Sequence, residues 1–295
     1  MAKLAKKYDV TCCGTTDEVL TVSRLNWEPE LRRASYMGEQ GDGHSCNHWA
    51  VVNPTRPASQ ALAYVGNRFR PNSHVIAAKQ LEPLLRSGTI TPHNVSVWDG
   101  GLSVAMQFRC AGISVEVGPR SIVSPLLTLS INHDGKATDR SFFADFDFWC
   151  HNQAGLVAKV GGEGIRHSDL VISKYSEQLE RKIDELSQGL SLRYATMVRM
   201  SETKLAPSCT KFYFQNVMQL PLDDDRNRVL SAVTKDYDAD DHGVPGTVWH
   251  AYSAITRYTT HSEGVSDSVR LERAMLGAQS RFDRAFNEAA LLTMQ

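Results

Sequence analysis

The sequence predicts an α+β fold: a twisted antiparallel sheet packed with helices, followed by a helical C-terminal region. Two observations carry this. Between Val95 and Trp149, alternating or β-branched runs are separated by turn residues rich in Gly and Asp, and from Asp169 onward apolar residues recur at helical spacing. These patterns divide the chain into an irregular segment over 1–60, an α+β core over 61–190 and a mainly helical region over 191–295.

Within the first segment, Val19 to Trp27 has no clean period, and Met37 to Pro57 is rich in Gly, Asn, His and Pro, which predicts loop. Ala63 to Phe69 reads as a short strand. Ser73 to Leu85 reads as one helix, capped by Asn72 or Ser73, with Val75, Ile76, Ala78, Leu81, Leu84 and Leu85 on one face. Pro83 should end or kink its last turn, and Gly88 stops it. Strands are expected at Val95 to Trp98, Leu102 to Cys110 and Ile113 to Val117. They are joined at Asp99-Gly100-Gly101 and Ala111-Gly112, which tolerate the positive φ of tight hairpins. Leu126 to Asn132 and Ser141 to Trp149 extend the meander.

In the helical part, Ile172, Tyr175, Leu179, Ile183, Leu186 and Leu190 mark an amphipathic helix over Asp169 to Leu190. Weaker patterns predict helices at Thr210 to Leu220, Arg226 to Lys235 and Thr247 to Tyr258. Leu271, Met275, Ala278, Phe282, Ala285, Ala289 and Leu292 then form a terminal seam, fitted either to the protein's own core or to a second subunit.

The chain has 295 residues, 42% hydrophobic and 22% charged, which is globular composition. No run approaches the roughly 18 apolar residues of a membrane helix. Met1 to Lys7 lacks the apolar segment of a signal peptide, so a cytoplasmic protein with no membrane partner is expected. Six cysteines in a chain of this length are too few for a disulfide scaffold, and reduced thiols are expected.

Formal net charge is −1, but the first part of the chain is basic and the last part acidic. Between His44 and Trp98, Arg56, Arg68, Arg70, Lys79 and Arg86 are opposed only by Glu82, with Tyr64, Phe69 and Trp98 interleaved. Cations that hold phosphates and rings that stack on bases are what single-stranded nucleic acid requires. An ordinary solvated surface would carry the same charges.

A second constellation lies further on. Leu126, Leu127, Leu129 and Ile131 lead into Asn132-His133-Asp134-Gly135, an aromatic run leads to Trp149-Cys150-His151-Asn152, and Arg166-His167-Ser168 closes the block. This order resembles the phage- and plasmid-associated family of domain of unknown function 932. Its members carry a strand, a His-Asp-Gly turn, a strand ending in Cys-x-Asn and a short Arg-His-Ser/Thr start to a helix. The resemblance extends weakly back to Tyr64 and forward to Trp249. It implies a place in the biology of mobile genetic elements and assigns no reaction. The predicted meander and helix are also loosely similar to the core of phage single-strand annealing proteins, at the level of fold alone.

Each motif has an architectural reading beside a functional one. His133-Asp134-Gly135 is good turn chemistry, braced by Asn152; alternatively one loop edge presents His133, Asp134, Asn152, Arg166 and His167 to a ligand such as phosphate. His133, Cys150, His151 and His167 could converge on zinc, although their spacing, like that of His44-x-Cys46-x-His48, is not that of a zinc site. Asp145 and Asp147 share one strand face, either as metal-binding carboxylates or, preferred here, as a solvated face. Asp236-x-Asp238-x-Asp240 fails as a calcium loop because Asp241 and Thr247 stand where Gly and Glu belong. Gly161-Gly162-Glu163-Gly164 lacks the Lys-Ser/Thr of a phosphate loop and is read as a hinge.

The leading expectation is a phage- or plasmid-encoded, oligomeric nucleic-acid-binding protein that holds single-stranded DNA for annealing, recombination or replication. Its interface would be Arg56, Tyr64, Arg68, Phe69, Arg70, Lys79, Arg86 and Trp98. No cofactor is expected, and no residue is assigned a catalytic role. Two alternatives stay open: a metal-dependent hydrolase or nuclease acting through His133, Cys150 and His167, and a structural or host-interaction protein using the terminal helix.

Overall fold

The computed structural model describes residues 6–37, 43–56, 61–135, 139–147, 152–159, 172–221, 227–239, 244–261 and 279–294. The chain forms two compact units. One comprises Met1–Ala111, Leu127–Phe142 and Lys159–Ile183, and the other Gly112–Leu126, Phe143–Ala158 and Asp184–Gln295. The architecture is α+β, as the patterning predicts, with antiparallel sheets and a helical C-terminal region.

The first unit begins with β1 (Lys6–Asp9), α1 (Thr16–Val22), β2 (Glu30–Met37), β3 (Gly43–Val52) and β4 (Ala61–Gly66). Short helices α2 (His74–Lys79) and α3 (Glu82–Arg86) precede the hairpin of β5 (Ile90–Trp98) and β6 (Ser103–Cys110). Strands β2, β3 and β4 form a three-stranded antiparallel sheet. The larger sheet has the order β1-β5-β6-β8-β9-β10, where β8 is Ile122–Asn132, β9 Arg140–Asp147 and β10 Asn152–Lys159; the short β7 (Val115–Glu116) pairs with β8.

Helix α1 starts in a capping box, with Thr15 accepting from the Glu18 amide while Glu18 reaches back to the Thr15 amide. It ends in a Schellman turn: the Arg24 amide donates to Thr21 O at 3.1 Å and the Leu25 amide to Leu20 O at 2.7 Å. The left-handed residue that closes this turn is Arg24, with φ 59°, where glycine would be the unstrained choice.

Two expectations are corrected here. The described part of segment 1–60 is not irregular: β1, α1, β2 and β3 lie within it, and β3 (Gly43–Val52) falls inside the stretch from Met37 to Pro57 expected as loop. Its composition is poor for a strand. Pairing with Leu31 on one side and Ala63 on the other buries Val51, however, and cross-strand packing overrides intrinsic preference. The helix expected over Ser73 to Leu85 is two helices. Ser73 caps α2 as expected, accepting from the Ile76 amide, whereas Pro83 sits in the first turn of α3, where its missing N–H costs nothing.

The second unit holds the C-terminal part of α4 (Ile172–Glu202), then α5 (Pro207–Met218), α6 (Arg228–Asp238), α7 (Val248–His261) and α8 (Gln279–Leu292). Leu186, Leu190, Tyr194, Met197 and Met200 are buried along one stripe of α4. Asp236 and Asp238 lie in α6, consistent with the rejection of a calcium loop. Ala285 and Ala289 of the terminal seam are buried, Tyr213 donates to Ala285 O at 2.9 Å, and Phe286 meets Tyr252 edge-on. This part of the seam therefore packs on its own unit. Asp145 does not lie on a solvated strand face, because all of Ser141 to Asp145 is buried and alternation loses its meaning there. It accepts from Arg193 Nε at 2.6 Å, and the Arg193 guanidinium stacks on Phe286. Among the described residues no helix is long and apolar enough to cross a membrane.

Candidate functional site

In the first unit, five separate stretches of chain converge on a cleft of about 920 Å³. Lys6 and Tyr8 come from β1, Arg24 from the turn after α1, Asn53 to Arg56 from the turn after β3, Tyr64 from β4, and Asp99 with Gly100 from the β5–β6 hairpin. Each wall has a local cause. Asn53 Oδ1 accepts from Thr55 N at 2.9 Å and from Thr55 Oγ1 at 2.7 Å, and the Arg56 amide closes on Asn53 O at 3.1 Å. With Pro54 as the second residue, this Asx-stabilised turn aims Arg56 at the cleft.

The hairpin wall needs its glycines. Asp99, Gly100 and Gly101 have φ of 47°, 75° and 110°. A side-chain carbon on Gly100 would collide with the Arg56 guanidinium, and one on Gly101 with the Trp27 ring. Of the three non-glycine residues with positive φ among the described residues, Arg24 and Asp99 both line this cleft. Both stand at tight turns, Arg24 closing α1 and Asp99 opening the hairpin, and together they shape two walls of the cleft.

The cleft is cationic. Among the described residues that line it, Lys6, Arg24 and Arg56 stand against the single carboxylate of Asp99, and neither Arg24 nor Arg56 takes part in an ion pair. Tyr8 is half-buried, with Lys6 Nζ 5.3 Å from its ring centroid, and Tyr64 is 68% exposed. Solvated cations beside a free aromatic face can hold phosphates and stack a flat base.

Of the residues expected to form a nucleic-acid interface, the structure brings Arg56 and Tyr64 together here. Arg68 and Arg70 are exposed just beyond β4, and Arg70 Nη1 turns back onto Asn67 O at 3.0 Å and Phe69 O at 2.8 Å. Phe69 is half-buried, close to Gly135. Lys79 lies 3.9 Å from Asp17, and Arg86 pairs with Glu82 at 2.9 Å. Trp98 is 6% exposed and is withdrawn as a stacking ring, since the hairpin seals it into the core.

The His-Asp-Gly motif is also placed differently from the expectation of a ligand-facing loop. His133 is fully buried and presents nothing to solvent. Its amide donates to Leu102 O at 2.8 Å, and its Nε2 lies 3.3 Å from His74 Nδ1, while His74 Nε2 lies 2.9 Å from Leu25 O. The carbonyl only accepts, so His74 carries its proton on Nε2, and His133 Nε2 donates to His74 Nδ1. Burial holds His74 neutral by pushing its pKa down to about 4. Trp27 packs on His74 with ring centroids 4.5 Å apart and donates from Nε1 to Arg24 O at 3.2 Å. Asp139 closes the motif turn, accepting from the Asn132 amide at 2.8 Å and from Asn72 beside the α2 cap. Asp134 is half-buried and Gly135 has φ 69°.

Cys150, His151, Arg166, His167 and Gly161 to Gly164 lie outside the described residues, as do the side chains of His44, Asp147 and Asn152. Cys46 Sγ donates to Ala34 O at 3.4 Å. Among the described residues no three metal-capable side chains cluster.

Sequence reasoning missed Lys6, Tyr8, Arg24, Asn53, Thr55 and Asp99. The basic stretch Lys3, Lys6 and Lys7 was a usable signal, whereas nothing in the local sequence marks Arg24 as left-handed. A family model described as Domain of unknown function (DUF932) matches residues 61–286. That span includes Tyr64, His74, Asp99 and His133, whereas the cleft cations Lys6, Arg24 and Arg56 precede it. No curated protein and no solved structure matches the chain.

Proposed function

The chain belongs to the family described as Domain of unknown function (DUF932), and we propose that the cleft of its first unit holds the backbone of a single-stranded nucleic acid, with DNA favoured. The observation that carries this is the convergence of Lys6, Arg24 and Arg56 around the exposed ring of Tyr64. The three cations neutralise successive phosphates, and Tyr64 stacks on a base at about 1–3 kcal/mol. A duplex keeps its bases stacked on one another and has none to offer Tyr64, which favours a single strand. In a mobile-element setting such binding would serve annealing, recombination or replication.

Release of counterions from three neutralised phosphates gives log K against log salt a slope of about −2 for a single strand. Fluorescence anisotropy of labelled single-stranded and duplex oligonucleotides across a salt series, with oligomeric state recorded in parallel, tests the reading. The expected result is a preference for single strands that weakens with salt. Salt-independent binding, or none at low salt, removes it.

A further inference from the structure

Resting on that reading of the cleft, we propose that His133 of the family motif, through His74, is a positioning residue that sets the Arg24 wall. The connection is continuous within the first unit. His133 Nε2 donates to His74 Nδ1, His74 Nε2 donates to Leu25 O, and Leu25 closes the Schellman turn that holds Arg24 at φ 59°. A second strand of the same brace runs from the His74 ring to Trp27, whose Nε1 donates to Arg24 O at 3.2 Å. The cleft thus takes its Arg24 carbonyl and its Leu25 carbonyl from one buried cluster.

Arg in a left-handed position is disfavoured relative to glycine, so this turn needs support from outside the helix it ends. The cluster supplies two hydrogen bonds to two successive carbonyls, both from rings whose own freedom is removed by burial. The His133 amide is anchored separately to Leu102 O, just beyond Gly101 of the hairpin wall, so one residue ties two walls of the cleft. The motif can therefore serve the site without touching a ligand.

The test compares wild type, R24A, H133L, H133Q, W27F and the double variants R24A/H133L and R24A/W27F. Two readouts are used: anisotropy with a labelled oligo-dT, and amide hydrogen exchange of the full-length protein. Loss of a charged hydrogen bond makes R24A bind about tenfold more weakly. H133L and W27F are expected to weaken binding on the wild-type background and to add little on the R24A background. H133Q, which retains a donor, is expected to recover part of the loss. An equal loss on both backgrounds, or H133L and W27F that bind as wild type while R24A does not, overturns the brace.

Exchange separates this inference from the reading of the cleft. If the oligonucleotide does not bind, the cleft reading fails. The brace then stands if exchange at the Leu25 amide accelerates selectively in H133L and W27F, and falls if it does not. Should H133L not fold, W27F carries both readouts, because it removes the indole N–H donor and keeps an aromatic ring at that position.

Discussion

The guanidinium of Arg56 lies in the space that a side chain on Gly100 would fill. The neighbouring Gly101 is pressed in the same way against the buried ring of Trp27. The two glycines differ in what stands opposite them. One faces the mobile end of a long side chain and the other a rigid indole in the core.

Replacing each by alanine should therefore separate function from stability. G100A meets φ 75° and displaces Arg56, so it should cost about 1 kcal/mol of stability and weaken oligonucleotide binding. G101A meets φ 110° and Trp27, which cannot swing away, and should cost about 3 kcal/mol. Urea unfolding of both variants, beside anisotropy for G100A, checks the contrast.

Acid should loosen the first unit before the carboxylates titrate. His74 is fully buried, and its pKa falls from the ordinary 6.5 to about 4 because burial disfavours the imidazolium. Between these values the unfolded chain binds the proton and the folded one does not. Stability is thus fully present above pH 6.5 and declines as pH falls to about 4, by about 3 kcal/mol in all. Glu82, which accepts from Thr16 N and Oγ1, has a lowered pKa, so its contribution is lost at lower pH, below the usual carboxylate range. Denaturant midpoints across this range should slope in wild type and slope less in H74Q, with the remaining slope coming in part from His250, whose pKa burial also lowers.

The second unit depends on the buried pair of Asp145 and Arg193. Asp145 is wholly buried and also accepts from Tyr194 Oη at 3.3 Å, and burial raises its pKa against the lowering effect of Arg193. D145A takes the buried carboxylate away from the guanidinium, which keeps Phe286 and Tyr252 beside it, and should cost about 3–5 kcal/mol. The double variant D145A/R193M removes the guanidinium charge as well and should recover part of that loss, as measured by urea unfolding. A double variant no more stable than D145A would place the cost elsewhere.

Much of the fold was legible because its signals are local. Asp99-Gly100-Gly101 announces a hairpin wherever it stands, and the stripe from Leu179 to Leu190 has no other use than a helix face. Strand β3 was hidden because its Gly, Asn and His content argues for loop, while its stability comes from two neighbours distant in sequence. The site was half legible for the same reason. Linear charge pointed to Arg56 and Tyr64, yet it could not show that Trp98 is sealed in the core or that Lys79 and Arg86 stand beside Asp17 and Glu82. Nor could it join Lys6 and Arg24 to residues forty or more positions away in Tyr64 and Asp99; that needs the folded chain. The His-Asp-Gly motif was legible as a turn, but its buried histidine and its link to His74 were not.

The most direct measurement is the salt slope of oligo-dT binding for wild type and R56A at fixed pH. The account predicts a wild-type slope of about −2, reduced in magnitude by about 0.7 in R56A, with Y64A weakening binding at every salt concentration and leaving the slope alone. Equal slopes in wild type and R56A, with Y64A binding as tightly as wild type, would contradict it.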